Sequence, residues 1–285
     1  MKNKILLLLC FALCYALCLP VFSQVNIVSM SSADDQTLSP VKKTILDNCV
    51  VKVQYRMEYI KNTNNPNKKN NNFMLLQIGE KTSKFSDYFR LKTDSMYDDF
   101  VNKKMEFSEA SSKIMPIFTG TLALNVFKNY PTGKMTVIDR AFLAGTFKYT
   151  EDMVKMKWKL LQGKATICGY QCQQATTTFR GREYTAWYTP KIAYSDGPWK
   201  FNGLPGLILL VTDSKNEYKF ECVAIEKAGD NEKIYIIDDD LFTTTRERFN
   251  ITAKNATDNP NPYAESVGAK AIPNRKIPYN PIELE

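Results

Sequence analysis

The 285-residue chain contains no histidine. That absence removes serine–histidine and cysteine–histidine hydrolysis, and every histidine-ligated metal site, from the chemistry open to it. Catalysis would have to rest on carboxylates. Asp196, Asp213, Glu217, Glu221 and the run Asp238-Asp239-Asp240 could supply a glycosidase pair, which needs two acids about 5–10 Å apart across a cleft. Each stands near an expected strand end or turn, where acidic residues are ordinarily solvated. The Asp triplet also lacks the spaced oxygen ligands and the glycine of a calcium loop. No residue is therefore assigned a catalytic role, and no metal or cofactor is expected.

A second concentration of chemistry lies between residues 180 and 200. Arg180, Arg182, Tyr184, Trp187, Tyr188, Trp199 and Lys200 place cationic and aromatic groups close together in sequence. Such a surface suits sugar stacking or a protein partner. Trp187 and Trp199 could equally anchor the core, whereas buried arginines need partners. The expected binding set is Arg180, Arg182, Trp187, Tyr188, Trp199 and Lys200, with Arg182 at a hairpin turn and Trp199 in an irregular segment.

Cysteines give the third clue. Met1-Lys2-Asn3-Lys4 is a basic start, Ile5–Leu19 an uncharged apolar run, and Ser23 a small residue suited to cleavage. That is the layout of a secretory signal over residues 1–23. The apolar run is shorter than the roughly 20 residues of a membrane helix. A lipid anchor on Cys10, Cys14 or Cys18 is disfavoured by the leucine before each. Cleavage leaves Cys49, Cys168, Cys172 and Cys222, an even set in an oxidising compartment, which favours disulfides. If Cys168 and Cys172 share one straight strand they are about 13 Å apart, too far to bond. A turn at residues 169–171 would let them join. Metal binding by Cys-x₃-Cys is disfavoured without histidine.

The formal net charge is +8, two fewer once Lys2 and Lys4 leave, and the basic residues are spread along the chain. A nucleic-acid protein would show a stripe, so the expected partners are an envelope protein, a peptide or a glycan, with no nucleic acid and no spanning segment.

These groups need a scaffold. Residues 24–44 read as a loose leader, 45–258 as a single β-rich domain and 259–285 as an extended Pro- and Asn-rich tail. Val51, Val53, Tyr55, Met57 and Tyr59 alternate with polar residues, the mark of a half-buried strand. Residues 62–72 read as a polar loop, and Phe73–Ile78 as a strand. Helices are expected over Asp94–Lys104, capped by Asp94 or Ser95, and over Thr243–Ala253. Hairpins are expected over 175–189, turning at 180–182, and over 207–225, turning at 213–216. Ile234–Ile237 is a further short strand. The whole reads as mainly β, an antiparallel sheet curled into an open barrel or sandwich, with one or two short helices.

Between those hairpins stands Gly203-Leu204-Pro205-Gly206-Leu207-Ile208. Pro205 and Gly206 suit the two central positions of a type II turn, and Gly203 permits close backbone approach. Amides around Gly203 and Gly206 could alternatively form an anion nest. This string resembles the signature of the GLPGLI family of exported Bacteroidetes proteins. Ile167–Cys172, Phe179–Arg182, Ala186–Thr189, Gly197–Phe201 and Asn280–Leu284 extend the likeness over most of the expected mature chain. The family has no established activity, and a related domain in front of secreted glycan-cleaving enzymes is a weak pointer to glycan contact. The leading functional expectation is an exported, non-enzymatic binding or accessory protein of the periplasm or outer-membrane periphery. The alternatives are a carrier of an apolar ligand inside the curled sheet and a carboxylate hydrolase.

Overall fold

The computed structural model describes residues 37–238, 241–266, 268 and 278–285. The expected signal, most of the expected leader, and Asp239 and Asp240 lie outside the described residues.

Two antiparallel meanders form one twelve-stranded sheet. The first contains β2 (Val51–Tyr59), β3 (Asn70–Ile78), β4 (Ser83–Asp87), β5 (Asn125–Lys128), β6 (Lys134–Ala141) and β7 (Gly145–Asp152). The second contains β8 (Lys159–Ile167), β9 (Tyr170–Phe179), β10 (Arg182–Thr189), β11 (Leu207–Asp213) and β12 (Tyr218–Lys227). β2 pairs with β12 and joins them. The two-residue β14 (Phe242–Thr243) runs parallel to β7, so the sheet is open, with β8 and β14 as its edges. β1 (Thr44–Asn48) pairs separately with β13 (Lys233–Ile236). The expected mainly β, antiparallel architecture is what the chain adopts.

The period-two pattern of β2 acts as its sequence implies. Val53, Tyr55 and Met57 enter the main core, while Lys52, Arg56 and Glu58 form ion pairs on the other face. That core draws residues from both meanders, with Trp199, Phe201 and Leu204 of the 190–206 connection among them. The sheet thus curls around this connection. The other face of the first meander is covered in part by β13, where Ile236 packs on Phe127 and Ile138.

The helices depart from expectation in number and position. α1 (Tyr88–Asn102) starts earlier, because Asp87 rather than Asp94 or Ser95 caps it, accepting from the amides of Phe89 and Arg90. α2 (Phe107–Phe118) has no counterpart among the expected elements. Its buried Ala110, Ile114 and Phe118 close a small second core with Phe100 of α1 and Leu38. Leu38 lies in the stretch that reads as a loose leader, which packs here because it carries this apolar side chain. α3 (Arg246–Asp258) is capped by Thr245, and α4 (Asn261–Ser266) falls within the expected extended tail. No described helix is long and apolar enough to cross a membrane.

Candidate functional site

The 190–206 connection leaves β10 at Thr189 and re-enters the sheet at Leu207. Its apolar residues fill the interior: Trp199, Phe201 and Leu204 are at most 1% exposed. Phe201 is their hub, 4.8 Å from the Tyr184 ring and 5.3 Å from Trp199, edge to face in both cases. Trp199 is therefore a core residue and Tyr188 is likewise buried, so neither presents the surface expected of them. Trp187 remains half-buried against the same core.

Two buried lysines fix this plug to the first meander. Lys128 of β5 pairs with Asp196 and donates to the Gly197 carbonyl at 2.6 Å. Lys200, fully buried, pairs with Glu151 of β7 at 2.5 Å and with Glu283, and reaches the Tyr149 hydroxyl at 3.3 Å. A buried ammonium survives only when neutralised and hydrogen-bonded, and these acceptors provide both. Lys200 is thus an interior strut rather than a surface reader.

The signature turn differs from a type II turn. The Gly206 amide donates to Leu204, two residues back, while the Leu207 amide donates to Ile192. Gly206 has φ +142°, and a side-chain carbon there would lie 2.6 Å from the Thr189 carbonyl carbon and closer still to its oxygen. Glycine is required on both counts. Gly203 has φ +90° but faces open space, and a side-chain carbon added there would come no closer than 3.8 Å, to the Trp158 ring nitrogen. Its amide donates to Ser195, so the amides expected to form an anion nest are already engaged within the turn.

Arg182 does not occupy the exposed hairpin tip that the sequence suggests for it. The tip consists of Arg180 and Gly181, both with positive φ, and Arg182 starts β10 opposite Phe179. The Arg182 side chain is buried and grips the segment 280–282. Nη1 donates to Asp213 at 2.9 Å and Glu217 at 2.7 Å, and Nη2 to the Asn280 side chain at 2.6 Å and the Pro281 carbonyl at 2.7 Å. Nε donates to the Ile282 carbonyl at 3.2 Å. All the N–H groups of the guanidinium are thereby used. Tyr184 and Tyr218 donate their hydroxyls to the Ile282 and Asn280 carbonyls, and burial raises both phenol pKa values well above the ordinary tyrosine range.

Arg180 borders an open cleft of about 520 Å³ lined by Glu151, Asp152, Met153, Thr245 and Arg246. Its Nη2 donates to Glu151 at 2.7 Å. Its Nε is buried with no hydrogen-bond partner among the described residues, 3.8 Å from a Glu283 oxygen. Arg246, from the first turn of α3, pairs with Glu283 at 3.1 Å and with Glu247. None of the described acids expected as candidates lines this cleft, although Asp213 and Glu217 meet each other at Arg182. Asp196 pairs with Lys128, Asp213 and Glu217 with Arg182, Glu221 with Arg56, and Asp238 with Lys148. The convergent acids are Glu151 and Glu283, neither of which the sequence singles out as a candidate. Both contact Lys200, and Arg180 and Arg246 sit against them. The one available signal is that Glu283 falls in the string resembling a family ending.

The four cysteines among the described residues stand as thiols. Cys172 and Cys222 lie in the main core, whereas Cys49 packs with Ala228 and Ile234 in a separate cluster. Cys49 therefore shares its cluster with no other described thiol, and an all-paired set is not what this fold provides. Burial, and secondarily the charge of Glu232, pushes the Cys49 thiol up to about 12.

Residues 180–210 match a family described as protein of unknown function (Porph_ging), a stretch that holds Arg180, the plug and the signature turn. No curated protein matches the chain. Among solved structures, PNGF-II in the C2 space group is similar over 73% of this chain and 33% of its own, with 14% identity and a TM-score of 0.46. PNGF-II in the P21 space group gives the same identity and TM-score over 34% of its length. This chain thus spans about a third of PNGF-II, and the likeness carries no chemistry across.

Proposed function

We propose that this is an exported, non-enzymatic binding protein of the bacterial envelope, of the GLPGLI kind, acting in the periplasm or at the outer-membrane periphery. Its recognition site is the Arg180 cleft, and its partner is an extended peptide or protein segment. The observation that carries this reading is the partly exposed Arg180 side chain on the wall of an open cleft, with Arg246 beside it. A carbonyl or carboxylate from a partner lying in the cleft would accept from the accessible edge of that guanidinium, and the cleft has the size of a typical ligand site.

The same geometry weighs against the alternatives. An apolar carrier needs an empty interior, and here Trp199, Phe201 and Leu204 occupy it. A carboxylate hydrolase needs two acids facing a substrate across a cleft, yet Glu151 and Glu283 are both tied into ion pairs with Lys200, Arg180 and Arg246. The test is cross-linked capture from envelope extract with wild type, Arg180→Ala and Arg180→Lys. Wild type should retain a protein partner, and both variants should lose it while melting at the wild-type temperature. Equal recovery by all three would sink the proposal.

A further inference from the structure

Three of the four cysteines expected after cleavage converge, although strand order separates them. Cys168 occupies the turn between β8 and β9, with a left-handed φ of 49°, and is exposed. Cys172 follows in β9 opposite Ala165, and Cys222 lies in β12 at the edge of a register shift. β10 and β11 stand between β9 and β12 in the sheet, so it is the curl that brings the Cys172 and Cys222 side chains into one core cluster. Cys168 is the nearest thiol neighbour of Cys222, and Cys172 is a weaker neighbour of both. No group of ligating side chains among the described residues is compact enough to hold a metal, which leaves sulfur–sulfur chemistry as the use for this convergence.

We propose that Cys168 and Cys222 are the disulfide-forming pair of this fold, tying the β8–β9 turn to β12, and that Cys49 and Cys172 stay as thiols. Exposure makes Cys168 the entry point. Its thiolate attacks a disulfide oxidant, forming a mixed disulfide and releasing one of the oxidant's sulfurs as a thiolate. Cys222 then loses its proton and attacks the Cys168 sulfur, releasing the second. Two protein thiols give up two electrons and two protons, and the oxidant's disulfide becomes two thiols. Burial raises the Cys222 thiol pKa well above its ordinary value, with Cys168 adding to the effect, so Cys222 is the slower nucleophile and the natural second step.

The pairing is tested on the full chain, reduced and then treated with oxidised glutathione. Alkylation, denaturation and digestion without reductant follow, with each cysteine read by its own peptide. The expected products are a linked Cys168–Cys222 peptide beside alkylated Cys49 and Cys172. Cys222→Ser should trap glutathione on Cys168, and Cys168→Ser should abolish the link. A dominant Cys172–Cys222 or Cys49-containing link, or four alkylated thiols after oxidation, would overturn the assignment. Physiological formation rests on the proposed export, and alkylation in intact cells separates the two ideas. A link formed by glutathione but missing in cells refutes export and leaves the pairing standing.

Discussion

Replacing Gly206 by alanine asks the signature turn to hold a side chain where the structure has none to spare. The backbone there has φ +142°, and the added carbon would sit 2.6 Å from the Thr189 carbonyl carbon and 2.8 Å from Pro190 Cα. Both are main-chain atoms at the end of β10, so no rotamer change relieves the overlap. Holding a residue with a side chain at such a φ costs roughly 1–3 kcal/mol, and forced repacking adds roughly 1–3 kcal/mol. A loss of about 2–6 kcal/mol corresponds to a melting temperature lower by roughly 5–20 °C for a domain of this size. Gly203→Ala is the internal control. It shares a positive φ, but its nearest neighbour would be 3.8 Å away, so only the backbone cost applies, about 1 kcal/mol. Thermal unfolding followed by circular dichroism reads both. A Gly206→Ala protein that melts within about 2 °C of wild type, or a Gly203→Ala protein that is the more damaged, would refute the close-approach account.

Three further outcomes follow from the interior. Arg182→Ala strands Asp213, Glu217 and the carbonyls of residues 281–282, and urea unfolding should show a loss of about 3–5 kcal/mol. Trp199→Ala empties the plug and should cost about 3–5 kcal/mol by the same assay, whereas an unchanged midpoint would return Trp199 to the surface. Lys84, buried beneath Tyr235, has a pKa lowered by burial to about 8 from 10.5. Between those values the unfolded chain binds more protons, so this residue makes stability rise with pH there. Lys84→Met should flatten that rise in unfolding measured from about pH 8 to 10, and a profile identical to wild type would contradict it.

The sheet is legible in the sequence because its signals are local. The alternation in β2 and the Arg180-Gly181 tip between Thr- and Tyr-rich arms need only neighbours to be read. The site is less legible because its partners are distant. Nothing near Arg182 shows that Asn280 to Ile282 will satisfy it, so its charge alone argues for the surface. Trp199 and Lys200 mislead for the same reason, since an irregular segment between strands is ordinarily exposed, and here it is swallowed by the curl. α2 has its buried residues four apart at Ala110, Ile114 and Phe118, a helical spacing masked by Pro116. The start of α1 is hard to place because Tyr88 and Phe89, next to the Asp87 cap, stay exposed and the packed edge begins only at Met96.

The Lys200–Glu283 contact also imposes an order in time. The two residues are 83 positions apart, so a ribosome that has just released the plug has not yet supplied half of its counter-charge. Until then, closing the sheet would enclose an ammonium balanced by Glu151 alone, and would leave Arg182 without the carbonyls of residues 281–282. The penalty for partly paired buried charge opposes premature closure, even once β12 has completed both meanders. Full pairing of the buried plug thereby requires a late segment of the chain. On the proposed export route that dependence favours an open chain, which is what a narrow translocation channel demands of its cargo.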